Sequence, residues 1–250
     1  MSKIDLYNDD CLEVMNYLIE KGVKVDSIIT DIPYYQVVND DWDNQWKCES
    51  DYLAWVERCV ECCSKLLKDN GSILLFTGRQ HNRKVCNILD NYFEEKRTII
   101  WARKRSFNTA RGKALTSGYE PICYYTKGTP VFNNLKIKVD SKRKEYKNGT
   151  LKNGVSLSDV WSDISALPHN SKEKVAHPTQ KPLKLIERCI LMTTNEGDTV
   201  LDFTMGSGTT CIACIKTNRN FIGVEINTDY FTIVTERIKN IAVKGKSADD

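Results

Sequence analysis

Thr199-Val-Leu-Asp-Phe-Thr-Met-Gly-Ser-Gly-Thr-Thr210 is the stretch from which the fold is read. A short buried run enters a Gly-x-Gly turn, and a helical pattern follows over 209–216. In such a turn the backbone N–H groups and the start of the helix face a ligand. The turn alone is a weak signal. Cys211 stands where a dinucleotide fingerprint has its third small residue, and the Gly-Lys-Ser/Thr of a phosphate-binding loop is missing. The next run, Phe221-Ile-Gly-Val-Glu-Ile226, ends in Glu225. A carboxylate at that strand end is placed to accept both hydroxyls of a ribose, the bland alternative being a solvated strand end. Turn and carboxylate together imply a nucleoside-bearing ligand without a pyrophosphate fingerprint. S-adenosyl-L-methionine fits best.

Working outward, seven β-branched or aromatic runs read as strands: 4–7, 27–30, 72–77, 98–102, 122–126, 199–203 and 221–226. Helical patterns over 12–19, 52–67, 82–89, 183–192, 209–216 and 229–241 fill the gaps, with Thr228 or Asp229 capping the last. Strands alternating with helices predict an α/β domain with a mainly parallel sheet. Runs 98–102 and 122–126 lack an intervening helix and predict an antiparallel edge pair. A second motif, Ser27-Ile-Ile-Thr-Asp-Ile-Pro-Tyr34, delivers an acid, a proline and an aromatic to a strand end. By itself it reads equally as a strand-ending turn. It gains weight if strands 27–30 and 199–203 flank the point where strand order reverses, because ligands of open α/β sheets sit there.

Charge adds a partner. The 250 residues carry a formal net charge of only +3, yet 1–95 sum to −8, 96–152 to +12 and 153–250 to −1. The basic middle contains RKRSFNTARGK (103–113) and KIKVDSKRKEYK (136–147), which mix cations with polar and aromatic residues. A solvated surface is the plain explanation; such segregation favours a phosphate-backbone partner. Residues 128–176 show little periodicity and read as an inserted subdomain, with Val160, Trp161 and Ile164 to bury. No apolar run reaches the ~20 residues of a membrane helix, and the start MSKIDLYNDD lacks a signal-peptide core, so a cytoplasmic protein is expected. The ten cysteines then read as reduced thiols; Cys59, Cys62, Cys63, Cys211 and Cys214 fall on helical patterns without metal-site spacing, and no metal is expected.

Asp31-Ile-Pro-Tyr34, His177-Pro-Thr-Gln-Lys-Pro182 and Asp202-Phe-Thr-Met-Gly-Ser-Gly208, taken together, resemble the beta-class amino-methyltransferases of bacterial and phage DNA. Their hallmarks are a D/S-P-P-Y catalytic tetrapeptide, an H-P-T-Q-K-P segment and a D-P-F-x-G-S-G-T-T cofactor loop. The resemblance runs over about 230 residues from Leu6, with the basic insertion unmatched. Ile32 replaces the first proline of the tetrapeptide, and Phe203-Thr204 stands where the family has Pro-Phe. The fold implied is a circularly permuted, Rossmann-like methyltransferase sheet of seven strands, one antiparallel, beginning at the family's third strand and ending after its second. The segments implied are a catalytic half, 1–127, an inserted target-recognition region, 128–176, and a cofactor half, 177–250.

The resemblance assigns Asp31, Ile32, Pro33 and Tyr34 to catalysis. The Asp31 carboxylate and the Ile32 carbonyl would accept the two hydrogens of an exocyclic amine and aim its lone pair at the methyl donor. Pro33 stiffens the turn, and Tyr34 offers a face to a base that has left the duplex. Cofactor binding falls to Asp10 (Asp9 the lesser choice), Thr179, Gln180, Lys181, Asp202, Phe203, Thr204, Gly206, Ser207, Gly208, Thr209 and Glu225. Arg103, Lys104, Arg105, Arg111, Lys113, Lys142, Arg143 and Lys144 are assigned to DNA. Trp42 reads equally as base pocket or as packing, and His169 and His177 as incidental. The function implied is site-specific transfer of a methyl group from S-adenosyl-L-methionine to adenine N6 in double-stranded DNA. The rivals are cytosine-N4 or RNA methylation, a silent nucleic-acid-binding relative, and an NAD-linked dehydrogenase. Carbon-5 cytosine methylation needs a Pro-Cys nucleophile, and none of the six prolines precedes a cysteine. A homodimer and a partner restriction nuclease are left open.

Overall fold

The structure is a computed structural model that describes residues 2–37, 39–103, 117–137, 154–168 and 170–246. Strand β1 (Ile4–Tyr7) leads through helix α1 (Cys11–Glu20) to β2 (Val25–Asp31), the short α2 (Asp41–Asn44) and the long α3 (Glu49–Leu66). There follow β3 (Leu67–Phe76), α4 (Asn82–Leu89), β4 (Glu94–Ala102) and β5 (Tyr119–Thr126). Three two-residue strands come next: β6 (Lys136–Ile137), β7 (Val155–Ser156) and β8 (Val160–Trp161). The chain ends in α5 (Leu183–Thr193), β9 (Thr199–Asp202), α6 (Thr209–Lys216), β10 (Asn220–Val224) and α7 (Thr228–Lys246).

The main sheet has eight strands in the order β1-β10-β9-β2-β3-β5-β4-β8. From β1 to β3 neighbours run parallel, and β5 lies antiparallel to both β3 and β4. The first and last strands of the chain are thus neighbours, Ile4 against Phe221, as a permuted sheet requires. The seven expected strands all form, with one running antiparallel. The eighth, β8, comes from the expected insertion and pairs parallel with β4, Trp161 against Trp101. The antiparallel pair forms as expected, but β5 sits inside the sheet and β8 covers β4, so neither is the outer edge.

Central strands read as continuous apolar runs because both sheet faces are covered. Alternate residues then divide between two cores. Ile28, Ile73, Leu75 and Leu201 face α1, α3 and α4 through Met15, Val60, Leu66 and Val85. Ile29, Leu74, Phe76 and Val200 face α5 and α6 through Leu185, Ile190, Cys211 and Cys214. A one-residue slip in any strand would exchange these sets, so the register is strongly specified. Cys59, Cys62 and Cys63 are buried on α3, and Cys211 and Cys214 on α6.

Trp161 and Ile164 do not make a core for a separate subdomain: they join the sheet's second core, while Val160 stays half exposed. Trp101 Nε1 donates to the Ile164 carbonyl at 2.8 Å. Arg188 on α5 grips Asp163 with both terminal guanidinium nitrogens, at 2.8 and 2.5 Å, and lies over the Trp161 ring. Strands β6 and β7 form a separate antiparallel pair. The last helix is capped neither by Thr228 nor by Asp229: Asn227 Oδ1 accepts the N–H groups of Asp229 and Tyr230. Among the described residues no helix is long and apolar enough to cross a membrane.

Candidate active site

Strands β9 and β2 are hydrogen-bonded neighbours, Val200 against Ser27 and Leu201 against Ile28. From β9 the chain turns through α6 to β10 on one side; from β2 it turns through α3 to β3 on the other. Their carboxyl ends therefore open onto a crevice at the switch point of the sheet. Asp31 ends β2, Asp202 ends β9, and Glu225 follows β10. The two turns also touch. Thr204 Oγ1 lies 2.7 Å from Thr30 Oγ1 and donates to the Asp31 carbonyl at 3.2 Å. Thr204, which departs from the family pattern, thus ties the turn after β9 to the turn after β2.

The turn after β2 is clamped from several directions. Asp43, fully buried at the end of α2, accepts the N–H groups of Tyr34 at 2.6 Å, Tyr35 at 2.8 Å and Val37 at 2.7 Å. Tyr52 on α3 donates to the Pro33 carbonyl at 2.9 Å, and His81 Nδ1 lies 3.1 Å from the Tyr34 carbonyl. These bonds hold Tyr35 and Gln36 in left-handed backbone, at φ 55° and 60°, which costs a non-glycine residue about 1–2 kcal/mol.

Both oxygens of Asp31 are engaged. Tyr34 Oη donates to Oδ1 at 2.6 Å, and the Lys181 ammonium contacts Oδ2. Lys181, also buried, donates to Tyr34 Oη at 3.0 Å and stands 3.4 Å from Glu120 Oε2. Glu120 in turn accepts from Tyr34 Oη at 3.3 Å and pairs with Arg103 at 2.9 Å. Burial lifts Asp31 above the ordinary carboxylate range; Lys181 opposes this and Glu120 adds to it. Burial works against the charge on Lys181 too, but Asp31 and Glu120 more than offset it, and its pKa is raised. Two carboxylates facing one ammonium thus keep Lys181 charged despite its burial.

The turn after β9 uses glycine where nothing else fits. Gly206 has φ 50°, and a Cβ there would stand 2.9 Å from His177 Nε2; Gly208 has φ 72°, and a Cβ would stand 2.7 Å from Val234. Gly206 N–H donates to Glu225 Oε2 and Asn227 N–H to Oε1, each at 2.8 Å. Asp202 accepts from Thr210 Oγ1 at 2.7 Å and is pushed up to about 7 by burial. Burial raises Glu225 as well. Beside the turn, His177 is stacked on Trp42 and packs against Tyr230. Burial, with Lys181 and Arg237, pushes the imidazole down to about 4, so it is neutral at pH 7.

Every residue assigned to catalysis and cofactor binding, except Gly208, lines this one cleft. Several side chains have a partner that the sequence did not announce. Lys181 sits on Asp31, Gln180 bonds the backbone of Glu173 and Val175, and Asp10 caps α1 through the N–H groups of Leu12 and Glu13. Arg103 is held by Glu120 and Ser117. Lys104, Arg105, Arg111, Lys113, Lys142, Arg143, Lys144 and His169 lie outside the described residues. Asp43 and Glu120 were not foreseen; of the two, only Asp43 had a local signal, following the motif within ten residues. Trp42, left open on the sequence, lines the cleft.

The residues fit S-adenosyl-L-methionine on electrostatic grounds. Buried carboxylates at Asp31, Asp202 and Glu225 are all raised by desolvation, and a sulfonium cation among them would recover that cost. A family profile described as DNA methylase matches residues 25–236. The Type II methyltransferase M.HpaI of Haemophilus parainfluenzae is 32% identical over 223 residues, covering 86% of this chain and 68% of that protein. The DNA adenine methyltransferase YhdJ of Escherichia coli (strain K12) is 31% identical, over 86% of this chain and 76% of its own. Among solved structures, the complex of M1.HpyAVI with S-adenosylmethionine superposes with TM-score 0.66 at 27% identity, covering 94% of this chain and 99% of that one.

Proposed function

The chain belongs to the DNA methylase family, and on that premise we propose that it methylates the exocyclic N6 amine of adenine at specific sites in double-stranded DNA. The observation that carries this reading is the direct bonding of the Asp31 turn to the Thr204 turn, which puts an amine acceptor and a nucleoside site in one cleft. S-adenosyl-L-methionine supplies an electrophilic methyl group. Asp202, Phe203, Thr204, Gly206, Ser207, Thr209, Glu225, Asp10, Thr179, Gln180 and Lys181 border the space it would occupy.

The amine of adenine is a poor nucleophile because its lone pair is delocalised into the ring. The Asp31 carboxylate and the Ile32 carbonyl accept its two hydrogens, favour the pyramidal form and orient the lone pair. As the nitrogen gains a methyl group it must shed a proton, and Asp31, raised by burial, is basic enough to take it. Tyr34 is nearly buried, with Lys181 5.2 Å from its ring centre, so the flipped base enters a pocket already walled. An aspartate at the head of the tetrapeptide favours adenine over cytosine-N4, which stays the runner-up. Acting on DNA, the protein is placed in the cytoplasm.

Glu225→Ala should weaken S-adenosylmethionine by about 1–3 kcal/mol, the cost of stranding hydrogen-bonded polar partners, as titration calorimetry reads it. Unchanged affinity would remove Glu225 from the cofactor site. Duplex binding is assigned to the basic middle. Neutralising Lys104 and Arg105 should weaken binding to all sequences and lower the salt slope by about one unit per lost phosphate contact. Sequencing of modified bases in DNA from expressing cells tests the function itself. N6-methyladenine in one sequence context is the expected result. N4-methylcytosine would install the runner-up, and unmodified DNA would leave the silent relative.

A further inference from the structure

We propose that Glu120 is a positioning residue for methyl transfer, holding Lys181 and the Tyr34 hydroxyl against Asp31, and that Arg103 holds Glu120. The inference rests on the methyl-transfer reading of the cleft. Glu120 lies in none of the three motifs. It enters the site only because β5 runs antiparallel to β4, which pairs it with Trp101 and turns its half-buried carboxylate toward the end of β2.

The geometry gives it a definite task. Without Glu120, Lys181 would pair one-to-one with Asp31 and withdraw charge from the oxygens that must accept the amine hydrogen. With Glu120 in place, the ammonium is shared between two carboxylates, and the Tyr34 hydroxyl likewise faces both. Asp31 therefore keeps acceptor strength toward the amine. Arg103 closes the chain at 2.9 Å from Glu120 Oε1, with its other nitrogen on Ser117. Arg103 opens the basic stretch 103–113, so the ion pair joins the first residue of that stretch to Glu120. The titratable groups facing Asp31 are Lys181, Glu120 on β5, the neutral Tyr34 on its own turn, Tyr52 on α3 and Asp202 at the end of β9.

Sign follows from charge. Glu120→Gln removes an anion and frees Lys181 for Asp31. Both changes lower the proton affinity of Asp31, so the acid limb of the rate profile moves to lower pH. Arg103→Met uncovers the Glu120 charge and moves the limb to higher pH. The experiment is single-turnover methylation, from pH 5 to 9, of a duplex carrying the site found by base sequencing, at saturating S-adenosylmethionine and DNA. Glu120→Gln should slow transfer near neutral pH by about tenfold, a fraction of the ~10²–10⁴ that an acid–base group supplies. Its affinity for S-adenosylhomocysteine should match the parent. Opposite displacements of the two acid limbs support the proposal. If Glu120→Gln does not fold, the Arg103→Met limb decides alone. Acid limbs that coincide with the parent's, whatever the rates, would reduce Glu120 to a structural residue and overturn it. A parent chain that methylates no base would fail on the underlying reading, and so is distinguishable.

Discussion

Asp31→Ala should abolish methylation, the single-turnover rate falling by about 10²–10⁴ or more, while affinity for S-adenosylhomocysteine stays near the parent's. The asymmetry follows from the sheet. Asp31 ends β2, whereas the glycine turn and Glu225 belong to β9 and β10. Losing the carboxylate removes the acceptor for the amine hydrogen and the base for the departing proton together. It also leaves the buried Lys181 with Glu120 and Tyr34 Oη as its remaining polar partners. Asp31→Asn is the necessary companion, since it keeps shape and discards charge. It should be inactive too, with a melting temperature closer to the parent's. Near-normal turnover in either variant would take the chemistry away from this turn.

Asp43→Ala should be the most damaging change outside the catalytic tetrapeptide. One buried carboxylate accepts three backbone donors of one turn, from Tyr34, Tyr35 and Val37. Alanine strands the buried pair and partly wets the third, a loss of about 2–4 kcal/mol in unfolding free energy by denaturant titration. It also releases two residues held at positive φ, so the turn relaxes and Tyr34 leaves Asp31. Transfer should fall with stability, and cofactor affinity far less. Asp43→Asn, which retains an acceptor oxygen, should lie between. Stability within about 0.5 kcal/mol of the parent would mean that α2, not the carboxylate, holds the turn.

Much of this was legible in the chain because it is local. A buried strand running into Gly-Ser-Gly announces a turn wherever it stands, and the apolar spacing of α3 and α4 follows from one covered face each. The strand order came from the resemblance, and the β1–β10 pairing agrees with it. What escaped is what depends on register or on distance. Glu120 stands 86 residues from Tyr34, and only the β4–β5 pairing decides which side of the strand it takes. Lys181 was placed by its motif at the cofactor, and the structure puts its ammonium on the Asp31 carboxylate 150 residues away. Trp161 and Ile164 looked like the core of an insertion because apolar residues cannot say which partner they will bury against; β4 had an open edge, and both side chains joined the sheet's second core. Asp10 carries a second task that the motif did not announce: it lines the cleft, and its Oδ1 also accepts the N–H groups of Leu12 and Glu13 as the cap of α1.

The measurement closest to the central claim is the fate of a labelled methyl group. Purified protein, S-adenosylmethionine labelled in that methyl and unmethylated duplex DNA are incubated, the DNA is digested, and the nucleosides are separated by mass. The account predicts label in N6-methyldeoxyadenosine alone, absent with Asp31→Asn. Label in a cytosine nucleoside, or label persisting in that variant, would contradict it.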